Sequence, residues 1–147
     1  MKRRHSSTQT NAQRPRCVLD SGGLTALVGG SQRAREWLRW LVEHDGMICV
    51  PTPVLVESTS GDGGRDAEVN RVLGILERAA TVLQAPDEAT ARRAGLLRFL
   101  AKSDDGIDAL VAAAAVGDGS RAVVLTSDPN DLERLLQNER RVRVRTV

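Results

Sequence analysis

From residue 16 onward, short apolar runs alternate with segments whose apolar positions recur every three to four residues. Arg16-Cys-Val-Leu-Asp20 reads as a strand ending on an acid, and Ser21–Gly29 as a short helix closed by Gly29-Gly30. Ser31 caps a stronger helix with Ala34, Trp37, Leu38, Leu41 and Val42 on one face. Met47–Val50 is an apolar strand, and Pro51-Thr-Pro53 opens a helix through Val54, Leu55 and Glu57. The turn Gly61–Gly64 leads into a helix marked by Val69, Val72, Leu73 and Leu76. Thr81–Gln84 is a third strand, followed after Pro86 by a helix through Phe99. Gly106–Val116 predicts an alanine-rich helix with Ile107, Leu110, Val111 and Ala114 facing inward. Ala122–Thr126 is the fourth strand, Asp128–Gln137 a helix and Val142–Val147 a fifth strand. Strands separated by helices imply parallel pairing through right-handed crossovers, hence an α/β sandwich with helices on both faces. In such sheets a functional site lies beyond the carboxyl ends of the strands, at the topological switch point.

Charge divides the chain unevenly. Residues 1–16 carry Lys2, Arg3, Arg4, Arg14 and Arg16 without an acid, and residues 140–147 carry Arg140, Arg141, Arg143 and Arg145. Residues 17–139 hold 12 of the 21 bases and all 19 acids, so the body is −7 although the whole chain is +2. Residues 1–15 contain almost nothing apolar and read as a disordered basic arm ahead of a single domain over 16–147. No apolar segment of signal-peptide type follows that arm, and the run Ala109–Val116 is too short to span a membrane. Both cysteines, Cys17 and Cys49, fall in strands and read as buried free thiols, which suits a reducing cytoplasm.

Composition excludes several chemistries. With no Tyr, one Phe and two Trp, the chain lacks the aromatics of a stacking platform for single-stranded RNA. Two His and two Cys at wide spacing exclude zinc sites and CxxC redox motifs. Carboxylates remain as the instrument of any chemistry.

Four acids lie where the pattern puts strand ends or the helices that follow them: Asp20, Glu57, Asp108 and Asp128, with Asp105 and Asp131 one helical turn from the last two. Singly, each has a plain structural role. Asp20 and Asp128 suit helix caps, the latter followed by Pro129, and Asp105 and Asp108 suit the positive end of a helix. Jointly they converge on one sheet edge. Two unit charges about 4 Å apart repel by roughly 4 kcal/mol at an effective dielectric of about 20. Several such pairs would consume much of a typical stability of about 5–15 kcal/mol. A converging cluster therefore calls for protons or cations, and hard oxygen ligands select Mg²⁺ or Mn²⁺.

Val18-Leu-Asp20-Ser, Val54-Leu-Val-Glu57, Asp108-Ala-Leu-Val and Leu125-Thr-Ser-Asp128-Pro resemble the four acidic motifs of PIN domains, and among these the VapC toxins of type II toxin–antitoxin pairs. The resemblance covers residues 16 to about 147. It implies a three-layer α/β/α sandwich around a mostly parallel sheet of four to five strands. It also implies a Mg²⁺- or Mn²⁺-dependent endoribonuclease acting on RNA, a cognate VapB-like antitoxin and a homodimer. By the same resemblance Asp20, Glu57, Asp108 and Asp128 hold metal and carry catalysis, with Asp105 and Asp131 as accessory candidates and Ser21 and Thr126 as supporting hydroxyls. Two departures stand out: Gly at position 22, and a basic arm ahead of Asp20 longer than is usual in these toxins.

Two rivals stay open on sequence grounds. One is a PIN-like interaction scaffold without activity. The other is an aspartate-based phosphatase, which wants an acid two residues after its nucleophile, where this chain has Gly22, and a nearby Lys, of which the chain has only Lys2 and Lys102. Trp40, off the apolar stripe of its helix, suits a protein interface; Trp37 suits the core. His44 reads as a helix C-terminal residue rather than a base.

Overall fold

The computed structural model describes residues 14–79 and 81–147. The expected arm over 1–15 lies outside the described residues except for its last two. There, the Pro15 carbonyl accepts from Met47 N (2.8 Å) and Arg14 pairs with Asp45 (3.2 Å).

Five strands form one sheet: β1 (Arg16–Leu19), β2 (Met47–Pro51), β3 (Thr81–Gln84), β4 (Ala122–Thr126) and β5 (Val142–Thr146). Their order is β3-β2-β1-β4-β5 and every pairing is parallel. The sheet is thus at the upper end of the expected four to five strands, and wholly rather than mostly parallel. Central β1 reads Cys-Val-Leu without alternation because both of its faces are covered, and all three residues are fully buried. The chain first winds from β1 out to β3, then returns to the other side of β1 with β4. The switch point therefore falls between β1 and β4.

Among the described residues seven α-helices connect the strands: α1 (Ser21–Val28), α2 (Gln32–Glu43), α3 (Leu55–Ser58), α4 (Gly63–Ala79), α5 (Glu88–Ala101), α6 (Gly106–Val116) and α7 (Asn130–Leu135). α1 packs against α2, α3 and α4, while α5, α6 and α7 pack on one another. The four apolar positions expected to anchor α4, Val69, Val72, Leu73 and Leu76, are all buried.

Several local expectations needed correction. The proline pair imposes a 3₁₀ turn over Thr52–Val54 before α3, because prolines supply no N–H for an α-turn. α7 spans one and a half turns rather than the whole of 128–137, and Pro129 stands at its N-cap. In α6 the buried residues are Ala109, Val111, Ala112, Ala113 and Ala115, with Ile107 and Leu110 at the periphery. Packed between the sheet and two helices, α6 has no single apolar stripe, and alanine allows the close approach on each side. On α2, Val42 is exposed and Trp37 is half-buried against the core. Cys17 is buried as expected, but Cys49 only partly, and burial pushes both thiols up, Cys49 to about 11, so neither is a nucleophile at neutral pH. Among the described residues no helix is long and apolar enough to cross a membrane.

Candidate functional site

Asp20 is the first residue after β1 and the N-cap of α1. Its Oδ1 accepts from Gly23 N at 2.6 Å, and its own N–H reaches the Leu125 carbonyl of β4 at 3.4 Å. The side chain is therefore fixed at the switch point, and the residue is only 5% exposed. The capping role seen in the sequence is real, and the same geometry holds a carboxylate where a ligand would meet it. Burial raises the Asp20 pKa; the Thr126 hydroxyl and the Gly23 N–H pull it back, and Glu57 raises it again.

Two glycines make this turn possible: Gly22, noted in the sequence as a departure from the PIN pattern, and Gly23, which the motif did not single out. A Cβ on Gly23 would collide with the Leu125 carbonyl oxygen, and one on Gly22 would collide with Ser127, whose N would lie 2.9 Å away. Gly22 therefore closes α1 onto the end of β4. Gly-Gly directly after a strand-terminal Asp was the signal available.

Glu57, on α3, is exposed, and its Oε2 accepts from Ser21 Oγ at 3.1 Å. That bond ties the second acid to the first residue of α1. On α6, Asp105 is the N-cap and its Oδ1 accepts from Asp108 N at 2.9 Å. Buried Ser103 in turn accepts from Asp105 N at 3.2 Å, a support unnoticed in the string Ser103-Asp-Asp-Gly106.

Asp108 is where the charges meet. Burial comes first, then Asp105, Asp20, Glu57 and Asp131 in decreasing order, and together they push its carboxyl up to about 7. Asp128 is not among those groups. It is exposed; its N–H donates to Thr126 Oγ1 (3.1 Å), and its Oδ1 accepts from Asn130 N (3.3 Å). On the α7 side, Asp131 is the acid that acts on Asp108, while it also pairs with Arg134 at 2.6 Å.

Among the described residues no Lys, Arg or His pairs with Asp20, Glu57, Asp105 or Asp108. Nor do any three His, Cys, Asp or Glu side chains among them stand close enough to form a ready-made metal cage. Mutually repelling carboxylates on separate elements stay apart, and a proton on Asp108 near neutrality relieves part of the strain. An all-oxygen, anionic donor set without an organic counter-ion has the composition that suits a hard divalent cation.

A family model for the PIN domain matches residues 17–135, a span that includes all six acids. The chain belongs to the PIN domain family. No curated protein matches the sequence. Among solved structures, this PIN domain resembles a chain in the crystal structure of VapBC2 from Rickettsia felis bound to a DNA fragment from their promoter, with a TM-score of 0.69 at 12% identity over 90% of this chain and 98% of that one. It also resembles a chain of DNA-bound VapBC from Salmonella typhimurium, with a TM-score of 0.65 at 19% identity over 89% and 97% of the two chains. At such identities the likeness is one of fold.

Proposed function

We propose that this PIN domain is a Mg²⁺- or Mn²⁺-dependent endoribonuclease and the toxin of a VapBC-type pair. The observation that carries the reading is Asp108, pushed up to about 7 by burial and by carboxylates from its own N-cap and three other elements. A site that holds four charges against one half-buried acid, with no basic side chain paired to any of the first three, is built for a cation.

Asp20, Asp108 and Glu57 are the residues that would hold it, with Asp131 and Asp128 on the α7 side and Asp105 as an accessory. A divalent ion there would lower the pKa of a coordinated water and offset charge developing on a phosphate. The chain's own contribution is positioning. Gly23 N–H occupies Oδ1 of Asp20, so that carboxylate cannot rotate freely. Ser21 steers Glu57, the group best suited to orient an attacking water, and Asp105 and Ser103 fix the first turn beneath Asp108.

The fold shared with chains of two VapBC complexes supports a VapB-like antitoxin as partner. On α5, Leu96, Phe99 and Leu100 are 56%, 79% and 53% exposed, an apolar strip that supports a homodimer. The test is cleavage of RNA by the purified chain with Mn²⁺ or Mg²⁺. Activity should vanish with EDTA and in Asp108→Asn; cutting at the wild-type rate under either condition refutes the reading. That no ready-made cage stands among the described residues favours the rival, an inactive scaffold. That rival predicts no change in melting temperature at millimolar Mn²⁺, whereas a working site should be stabilised.

A further inference from the structure

The opposite edge of the sheet carries the reverse charge. There the first residues of β1, β4 and β5 and the end of α2 surround a groove of about 1000 Å³. Its walls hold Arg14, Arg16, Arg121, Arg140, Arg141 and Arg143, and among the described residues no Asp or Glu. Three of these arginines have structural duties. Arg16 donates to the Ala115 carbonyl (2.7 Å) and Ser120 Oγ (2.8 Å), Arg141 to the Gly119 carbonyl (3.0 Å), and Arg14 pairs with Asp45 (3.2 Å). Arg121, Arg140 and Arg143 are exposed and make no side-chain hydrogen bond or ion pair among the described residues.

The same groove gathers the only two tryptophans of the chain. Trp40 is 43% exposed and stacks on His44 with centroids 4.3 Å apart and planes at 25°. Trp37 meets Trp40 edge-on at 6.1 Å. Few aromatics argued against a stacking platform, but the fold places two of the three beside unpaired guanidinium groups. Planar cations next to a partly exposed indole suit phosphates and unpaired bases together.

We infer that this groove is an anchor for a single-stranded segment of RNA, separate from the acidic edge. The choice of RNA as the polyanion rests on the nuclease reading above. The need for an anchor follows from the other edge, where carboxylates repel phosphates. From Arg16 to Asp20 the chain advances about 13 Å, at about 3.3 Å per residue, so one RNA can engage both edges.

The test is fluorescence anisotropy of a labelled, unstructured RNA on the full chain in EDTA, where metal-dependent cleavage is silent. Replacing Arg140 and Arg143 together by Ala should weaken binding and flatten the slope of log affinity against log salt by about 1.4, about 0.7 for each phosphate no longer neutralised. Trp40→Ala should cost about tenfold in affinity, one stacked base, and leave the salt slope unchanged. Asp108→Asn, which removes one repelling carboxylate, should bind at least as tightly as the wild type while failing to cut, so loss of cutting and loss of anchoring separate. Unchanged affinity in the folded arginine variant overturns the assignment. So does equal binding of duplex DNA with no effect of Trp40→Ala, or displacement of RNA by an acidic polypeptide at lower concentration than by unlabelled RNA.

Discussion

Replacing Asp108 by Asn should stabilise the metal-free protein. In the fold the Asp108 carboxyl titrates at about 7, against 3.8 for the ordinary group. Below the ordinary value the acid is protonated in folded and unfolded chains alike. Between the two values the folded chain keeps a proton that the unfolded chain has released, so raising the pH weakens the fold. Above about 7 the full penalty applies. A shift of roughly three units corresponds to about 4 kcal/mol as a ceiling. The Asp108 side chain is only partly buried, and screening by solvent reduces the figure to about 2 kcal/mol. For a chain of this size that is about 4–8 °C in melting temperature. Asn keeps the shape, and the capping hydrogen bond at this position is donated to Asp105 by the backbone N–H, which the substitution retains. Thermal melts of wild type and Asp108→Asn in EDTA, from about pH 5 to about pH 8, check the argument. The variant should gain its advantage as the pH rises. Parallel curves, or a variant that melts no higher at the alkaline end, refute the claim that the carboxylates act on one another.

Adding Mn²⁺ should reverse that order, raising the melting temperature of the wild type above that of Asp108→Asn; the comparison is the same melt with and without metal. At Asp20 two roles separate by substitution: Asn keeps a cap to Gly23 N while removing the charge, whereas Ala also loses the cap at about 1 kcal/mol, so urea denaturation should rank Asn above Ala. Gly23→Ala should destabilise by about 1–3 kcal/mol, because its Cβ would meet the Leu125 carbonyl, a backbone group that cannot swing aside. Ser103→Ala should cost about 1 kcal/mol in the same denaturation assay through removal of the acceptor for Asp105 N.

The sheet was legible because its signal is local: runs such as Cys17–Leu19 and Ala122–Thr126, bounded by turn residues, have no other satisfactory burial. Strand order followed from the topology rules only as a class, and the side on which β4 joins β1 was not readable. The inward face of α6 was misread for a physical reason. Periodicity reports one buried face, and a helix covered on several sides has none. Asp20 and Asp128 could be found from their positions after strands and the other four from helix starts, but the ranking of the six could not. Whether Asp131 or Asp128 acts on Asp108 depends on how α7 begins. Pro129 and the Thr126 hydroxyl decide that, leaving Asp128 exposed and Asp131 acting on α6. The arginine groove was invisible in sequence because its residues come from the two chain ends, α2 and the approach to β4.

A parallel sheet gives these two edges different roles. All five strands end at the same side, so Asp20, and Asp128 with Asp131 beyond β4, arrive there together, and α3 and α6 add Glu57 and Asp108. All five strands also start at one side, where Arg16, Arg121 and Arg143 gather near the beginnings of β1, β4 and β5. In an antiparallel sheet neighbouring strands run in opposite directions, and the two signs would be mixed on each edge. The separation of charge is thus a consequence of strand direction acting on a sequence that places acids after strands and arginines before them. Reversing the sign of Arg121 and Arg143 would leave the acids of Asp20 and Asp108 in place. In the proposed anchoring, the repulsion of the acidic edge would then be opposed by a weakened attraction, and loss of RNA affinity without loss of Mn²⁺ stabilisation is the expected signature.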